Sequence, residues 1–317
     1  MAKRVLIVNP NARGGFAKNK WPVLEPVLRD ALGSIEVMFT KQSGDGTRLA
    51  EEAVASGAES VIAMGGDGTA SEVAAGLLAA FLKQARSEPT CSFGYLPCAT
   101  GGDFRRILGT PTDLREAAEA IARAKPRPID AGQIDFIGHD GQPRRSFFIN
   151  VASCGISGLV DHFVNEGSKA LGGTATFFLA SLRATFQYKN VLVRVKLDDE
   201  PSYEQRIYTL AVANGGYFGG GMNIAPDAKL DDGWFDVTTL GDLSVLEALK
   251  LSGLIYKGQQ GRMSKVSMKK ARRIVVEPVD SEQKVLLDTD GETPGRLPAT
   301  FTLLPAALSF LSDKTAR

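Results

Sequence analysis

Met64-Gly65-Gly66-Asp67-Gly68-Thr69 follows a segment that reads as a strand and opens one that reads as a helix. Three glycines in four positions let the backbone approach a ligand closely and adopt positive φ. A helix start offers free N–H groups and a partial positive charge, which suits phosphate. Thr69 and Ser71 can cap that helix or donate to phosphate oxygens. Asp67 is unfavourable beside a phosphate unless a metal or a transferred proton involves it. The bland alternative is a glycine turn with an Asp-assisted cap. The spacing matches neither G-x-x-x-x-G-K-[ST] nor G-x-G-x-x-G, which excludes those two nucleotide loops. Three other segments share the same character. Asn9 to Gly15 leaves the first strand, Thr40 ends the second, and Pro97 to Phe104 leaves the fourth. All four segments sit at the carboxyl ends of predicted parallel strands, where open α/β sheets bind ligands.

The elements that must hold these loops alternate. Strands are expected at Arg4–Val8, Ile35–Phe39, Ser60–Met64 and Phe93–Leu96, and helices at 21–32, 46–56, 69–86 and 114–124. That alternation predicts a three-layer, Rossmann-like α/β domain with a parallel sheet over residues 1–127. The pattern changes near Lys125-Pro126-Arg127-Pro128. Beyond it, 129–137 and 146–151 read as a hairpin, and 191–197 with 206–213 as a second strand pair. Further strands are expected at 235–240, 273–277, 284–288 and 299–304, and helices at 170–186 and 244–256. The second domain, 128–317, is therefore expected to be a mostly antiparallel β-sandwich, its last residues free to pack back on the first.

The chain has 317 residues, with Lys+Arg 37 against Asp+Glu 36 and a net charge of +1. With 44% hydrophobic and 23% charged residues, that balance excludes a disordered chain and a protein recruited to nucleic acid by overall charge. Three sparse cysteines, Cys91, Cys98 and Cys154, suit reduced thiols in a cytosol. The apolar run after Met1-Ala2-Lys3-Arg4 is too short for a signal-peptide core, and nothing is long enough to span a bilayer. The basic run Lys265 to Arg273 reads as a solvated strand edge, with a lipid-headgroup surface as the lesser reading. His139 and His162 are isolated, which argues against zinc.

Gly65-Gly66-Asp67-Gly68-Thr69 with Glu72-Val73, the entry Asn9-Pro10, and Pro97 through Thr100 to Asp103-Phe104 resemble the nucleotide loops of the diacylglycerol kinase / sphingosine kinase family of lipid kinases. Pro226 to Val237 resembles the metal-associated segment of the bacterial members, and Asp290-Gly291-Glu292 their C-terminal acidic motif. NAD kinases share the first loop, so the order of all the motifs carries the resemblance. It implies ATP in a cleft between two domains and transfer of the γ-phosphoryl group to a lipid hydroxyl. Asn9, Thr40, Gly65, Gly66, Asp67, Gly68, Thr69, Ala70, Ser71 and Thr100 would meet the nucleotide. Lys229, Asp232 and Trp234 would hold Mg²⁺, the first and last through carbonyl oxygens. Glu292 matches the catalytic acid/base, while Asp67 could hold a catalytic metal or act as the base. Alone, Asp290-Gly291-Glu292 and Asp231-Asp232-Gly233 read as turns. The implied partner is a lipid substrate at a membrane surface, met by a cytoplasmic protein peripheral to the inner face; a homodimer is left open. An NAD kinase, or a regulator that binds nucleotide or lipid without turnover, are the alternatives.

Overall fold

The computed structural model describes residues 3–99, 102–166, 180–181 and 183–312. The chain forms two compact units, Met1–Ala131 with Pro305–Arg317, and Gly132–Leu304.

In the first unit β1 (Arg4–Val8), β2 (Ile35–Phe39), β3 (Ser60–Gly65) and β4 (Ser92–Pro97) lie in the order β2-β1-β3-β4, all parallel. The helices are α1 (Ala12–Leu32), α2 (Asp45–Ala55), α3 (Asp67–Gln84), α4 (Asp103–Leu108) and α5 (Leu114–Arg123). Successive strand side chains point to opposite faces. Leu6, Val8, Ile62, Met64 and Leu96 therefore pack with α1 and α5, as Leu28, Leu32, Ala118 and Ile121 show. The intervening Val5, Ile7, Val61 and Ala63 are also fully buried, on the face that carries α2 and α3. Burying both faces explains why these strands are apolar runs rather than alternating ones. Each fully buried aliphatic side chain contributes about 1.5–3 kcal/mol.

Helix α1 begins nine residues earlier than its apolar spacing predicts. The chain passes through Arg13, Gly14 and Gly15 at φ of 51°, 67° and 87° before the helix becomes regular. Helix α4 has no counterpart in the sequence reading, because its six residues are too few to show a period. The unit is completed by the end of a long last strand, in which Ser309 and Phe310 pair parallel with Ser92 and Phe93. The Phe310 ring meets Phe93 edge-on at 5.5 Å.

The second unit is a sandwich. β5 (Lys125–Gly138) contributes its first residues to the first unit and those from Gly132 to the second, where it forms a hairpin with β6 (Pro143–Phe148). Gly132 must lack a side chain there, since a Cβ would stand 2.1 Å from the Phe148 ring. β7 (Val151–Gly155) leads into α6 (Ile156–Glu166). β8 (Val191–Leu197) and β9 (Tyr203–Ile207) pair antiparallel. β10 (Thr209–Ala213), the short pair β11 (Tyr217–Phe218) and β12 (Met222–Asn223), β13 (Phe235–Leu240), α7 (Val245–Ile255), β14 (Val266–Ala271), β15 (Arg273–Pro278), β16 (Leu287–Thr289) and β17 (Gly295–Ser312) follow. One sheet runs β14-β13-β10-β7-β16; the other places β15 between β8 and β17. Val193, Val195, Ile274 and Phe301 of the latter share one core with Cys154, Val212, Phe235 and Leu287 of the former.

The expected pairing of 191–197 with 206–213 is half right. Tyr208 divides the segment: Tyr203–Ile207 stays with β8, and Thr209–Ala213 crosses to the centre of the other sheet between β7 and β13. All five residues of β10 are buried, which suits a central strand and not an edge. The expected strand at 284–288 shortens to Leu287–Thr289. Of the helix expected at 170–186, residues 170–179 and 182 lie outside the described residues; Ala180 and Ala184 are buried.

Gly76 lets α3 approach α2, since a Cβ there would stand 2.3 Å from the Thr47 carbonyl oxygen. Gly76→Ala should lower stability by about 1–3 kcal/mol, read as a lower urea midpoint at unchanged m. All three cysteines are buried, and burial pushes the Cys91 and Cys154 thiols up to about 12. Iodoacetamide near neutral pH should leave Cys91 and Cys154 unmodified in the native protein and label both in urea, as mass spectrometry would show.

Candidate active site

The carboxyl ends of β1, β2, β3 and β4 are level. Val8 is opposite Phe39 on one side and Met64 on the other, and Gly65 is opposite Pro97. Helix α1 leaves β1 toward one face and α3 leaves β3 toward the other, so the strand order reverses direction between β1 and β3. Crevices for ligands form at such switch points. Asn9 and Thr69 stand on the two sides and are joined, the Asn9 Nδ2 donating to Thr69 Oγ1 at 3.2 Å. Thr40 closes β2, its N–H donating to the Val8 carbonyl at 3.0 Å. Gly65, Gly66, Asp67, Gly68, Thr69, Ala70 and Ser71 form the end of β3 and the first turn of α3. A side chain at Gly65 would stand 2.4 Å from Thr69 Oγ1, so the close turn requires glycine. Ala70 is fully buried and anchors the turn from below. Thr100 lies outside the described residues.

The helix termini differ in how their first-turn amides are satisfied. In α2 the Glu72 carboxylate takes the N–H groups of Gly44 and Gly46 at 2.8 and 2.9 Å. In α5 Asp113 takes those of Arg115 and Glu116. In α7 Ser244 and Glu247 form a reciprocal capping box. The N-cap of α3 is Gly66, which has no side chain to cap with; α1 and α4 likewise lack a side-chain bond from their N-cap residues. Gly66 thus opens α3 without a cap from its own N-cap residue, at the kind of helix start that suits an anion.

Asp67 acts as a strap. Its Oδ2 accepts the Asp103 N–H at 2.8 Å, and its Oδ1 accepts the Tyr95 hydroxyl at 3.3 Å. The carboxylate thus ties the loop after β3 to the one after β4 and meets its negative charge with donors. Burial pushes the Tyr95 phenol well above its usual range, and the Asp67 charge adds to it, so Tyr95 stays a donor. Sequence reasoning assigned neither this partnership nor the role of Glu72; the Asp-to-amide spacing across two loops leaves no local signal.

In the second unit, Asp290 and Gly291 adopt φ of 51° and 89° between β16 and Glu292. Thr289 and Glu292 exchange backbone hydrogen bonds of 2.8 and 3.0 Å, the pattern of a type I′ hairpin turn. The Asp290 carboxylate accepts three amides, Ile149 at 3.0 Å, Asn150 at 3.1 Å and Val151 at 3.0 Å. Asp288 takes the Gly291 N–H at 2.9 Å. Two acids therefore hold the turn, and Glu292 is presented at its exposed side.

Asp232 lies in the turn before β13. Its Oδ1 accepts the Trp234 N–H at 3.1 Å and its Oδ2 the Lys270 ammonium at 2.8 Å, which also reaches Asp236 at 3.1 Å. Burial pushes the Asp236 carboxyl above its usual range, and Lys270 opposes that. Lys229 is exposed, and the Arg272 guanidinium lies 4.3 Å over the Trp234 ring. Among the described residues no three Asp, Glu, His or Cys side chains gather as a metal cage. One carboxylate with backbone carbonyls still fits magnesium, which takes hard oxygens and keeps several waters. Lys270 already occupies one Asp232 oxygen.

The Diacylglycerol kinase catalytic domain family matches residues 3–134, and the YegS C-terminal NAD kinase beta sandwich-like domain family matches residues 150–312. The chain belongs to the diacylglycerol kinase and YegS-like lipid kinase family. It is 34% identical over 272 residues, covering 84% of each chain, to the "Probable lipid kinase YegS-like" protein of Xanthomonas euvesicatoria pv. vesicatoria (strain 85-10). It is 29% identical to the "Diacylglycerol kinase" of Bacillus subtilis (strain 168), covering 96% of this chain and 94% of that one. A crystal structure described as a diacylglycerol kinase from Bacillus anthracis str. Sterne matches with a TM-score of 0.71 at 25% identity, over 99% of this chain and 98% of that one. A kinase catalytic domain therefore occupies the first unit, and no described helix is long and apolar enough to cross a membrane.

Asp290→Asn keeps the turn conformation but sets an amide N–H₂ against backbone N–H groups. It should cost about 1–3 kcal/mol of stability in urea unfolding and speed hydrogen exchange at Ile149 to Val151.

Proposed function

We propose that this kinase transfers the γ-phosphoryl group of ATP to the hydroxyl of a lipid such as diacylglycerol, a sphingoid base or phosphatidylglycerol. The observation that carries the reading is the start of α3 at the switch point, opened by Gly66 as N-cap and joined to β1 through Asn9 and Thr69. Its amides would accept phosphate oxygens, with Thr69 and Ser71 as hydroxyl donors and Thr40 and Asn9 at the rim. Asp67 would fix the neighbouring loop so that these donors keep one geometry. In the reaction a new bond forms between the acceptor oxygen and the γ-phosphorus, and the bond from that phosphorus to the β-bridging oxygen breaks, leaving ADP. Glu292 would take the proton of the acceptor hydroxyl. Magnesium, when bound, supplies charge neutralisation on the phosphate oxygens, and Asp232 with the carbonyls of Lys229 and Trp234 would hold a second, structural ion.

Incubation with labelled ATP and a total lipid extract should label a lipid, while NAD in its place should not be phosphorylated. Labelled NADP with no labelled lipid would move the chain to the NAD kinase reading that the sandwich domain's description brings to mind. Nucleotide binding with no labelled product would mark a regulator. Glu292→Gln should lower kcat by about 10² or more at similar KM for ATP; an unchanged kcat would remove it from proton transfer. Asp67→Asn should lower turnover to a similar degree with little change in Tm, and excess chelator should stop the reaction.

A further inference from the structure

Helix α7 is apolar on both sides. Ala248, Leu251 and Ile255 are buried, the last two packing with Val151, Ala211 and Ile224. The outer side exposes Leu246 at 79%, Tyr256 at 51%, Leu249 at 43% and Val245 at 37%. At about 100° per residue, Leu246, Leu249, Gly253 and Tyr256 form one stripe, and Lys250 and Lys257 run along its edge. A surface helix of a monomer ordinarily turns one polar face to water, and clustered leucines on that face mark a contact surface.

The charge around the stripe says what it contacts. Glu247, the acid of this helix, is bound by the Lys265 ammonium at 2.8 Å and by its own cap Ser244. Lys250 and Lys257 make no ion pair among the described residues. At the helix start, a cavity of about 430 Å³ is lined by Lys189 and Arg206 together with Ser244 and Val245. The one carboxylate in that lining, Asp242, accepts the Asn190 side-chain amide at 2.7 Å. Positive charge therefore borders the apolar stripe on more than one side. Pairing two copies of this face would bring like charges together, which disfavours a second copy as the occupant.

We infer that the outer face of α7 docks on an anionic lipid bilayer. Leu246, Leu249 and Tyr256 enter the boundary between headgroups and acyl chains, while Lys250, Lys257, Lys189 and Arg206 meet lipid phosphates. The inference deepens the lipid-kinase reading and rests on it for its purpose, because an enzyme acting on a lipid hydroxyl must reach the membrane that holds it.

The test is sedimentation of the full chain with vesicles of phosphatidylglycerol mixed with phosphatidylcholine, beside vesicles of phosphatidylcholine alone. Binding should favour the mixed vesicles and weaken with salt. Leu246→Glu/Leu249→Glu should bind the mixed vesicles at least about tenfold more weakly. Lys250→Glu/Lys257→Glu should lose the preference for phosphatidylglycerol. Both variants should keep the wild-type Tm and the wild-type rate of labelling of detergent-dispersed lipid, since these side chains touch no part of the proposed site. Undiminished vesicle binding by the leucine variant overturns the docking face. So does a wild-type dimer that the leucine variant converts to monomer with vesicle binding unchanged, which would assign the face to a second copy. Binding lost in the variant, with no lipid labelled by wild type, upholds the docking face and overturns the kinase reading instead.

Discussion

A helix must satisfy the amides of its first turn, and the N-cap of α3, Gly66, has no side chain with which to do so. Much of the first unit is arranged around that fact. Gly65 keeps the strand end thin enough for Thr69 to turn beneath it. Thr69, the third residue of α3, accepts the Asn9 side-chain amide across the strand switch. Glu72, one turn further along α3, is spent on the amides of Gly44 and Gly46 and so seals α2. Asp67, whose charge would repel an anion, is met by the Asp103 amide and the Tyr95 hydroxyl. Asp67 and Glu72 are thus each tied to donors of the chain, and Asp67 itself sits in the first turn at the positive end of α3.

The second unit uses acids in the same economical way. Asp290 accepts three backbone amides, and Asp288 accepts the Gly291 amide and the Ser153 hydroxyl. A carboxylate that accepts several N–H bonds is a rigid fixture. The turn that carries Glu292 is therefore held to β7 by charge-assisted bonds rather than by apolar packing, and Glu292 itself remains exposed. In the segment before β13, Asp232 and Asp236 share one lysine, so charge there is balanced by Lys270 before any metal is considered.

The alternation of apolar runs with helical spacing made the parallel sheet legible, because strands buried on both faces leave an unambiguous signature. The glycines of 65–68 made the first loop legible through close approach at Gly65, although none of them adopts the positive φ expected, whereas Asp290 and Gly291 do adopt it. What escaped had no local signal. Tyr208 switches a continuous apolar run from one sheet to another, a choice made by packing against β7 and β13. Helix α4 is too short to show a period, and the start of α1 is hidden behind left-handed residues. Asp67 and Asp290 were visible as acids, but their partners lie 36 and about 140 residues away, beyond any spacing rule.

The central claim is that the first turn of α3 receives the triphosphate. Amide resonances of Gly66, Gly68 and Thr69, followed by ¹⁵N spectroscopy during titration with ATP, address it most directly. The account predicts large, saturable shifts at these three amides, with far smaller ones at the sealed start of α2, Gly44 and Gly46. Shifts confined to other parts of the chain, with the α3 turn unmoved at saturating ATP, would contradict it.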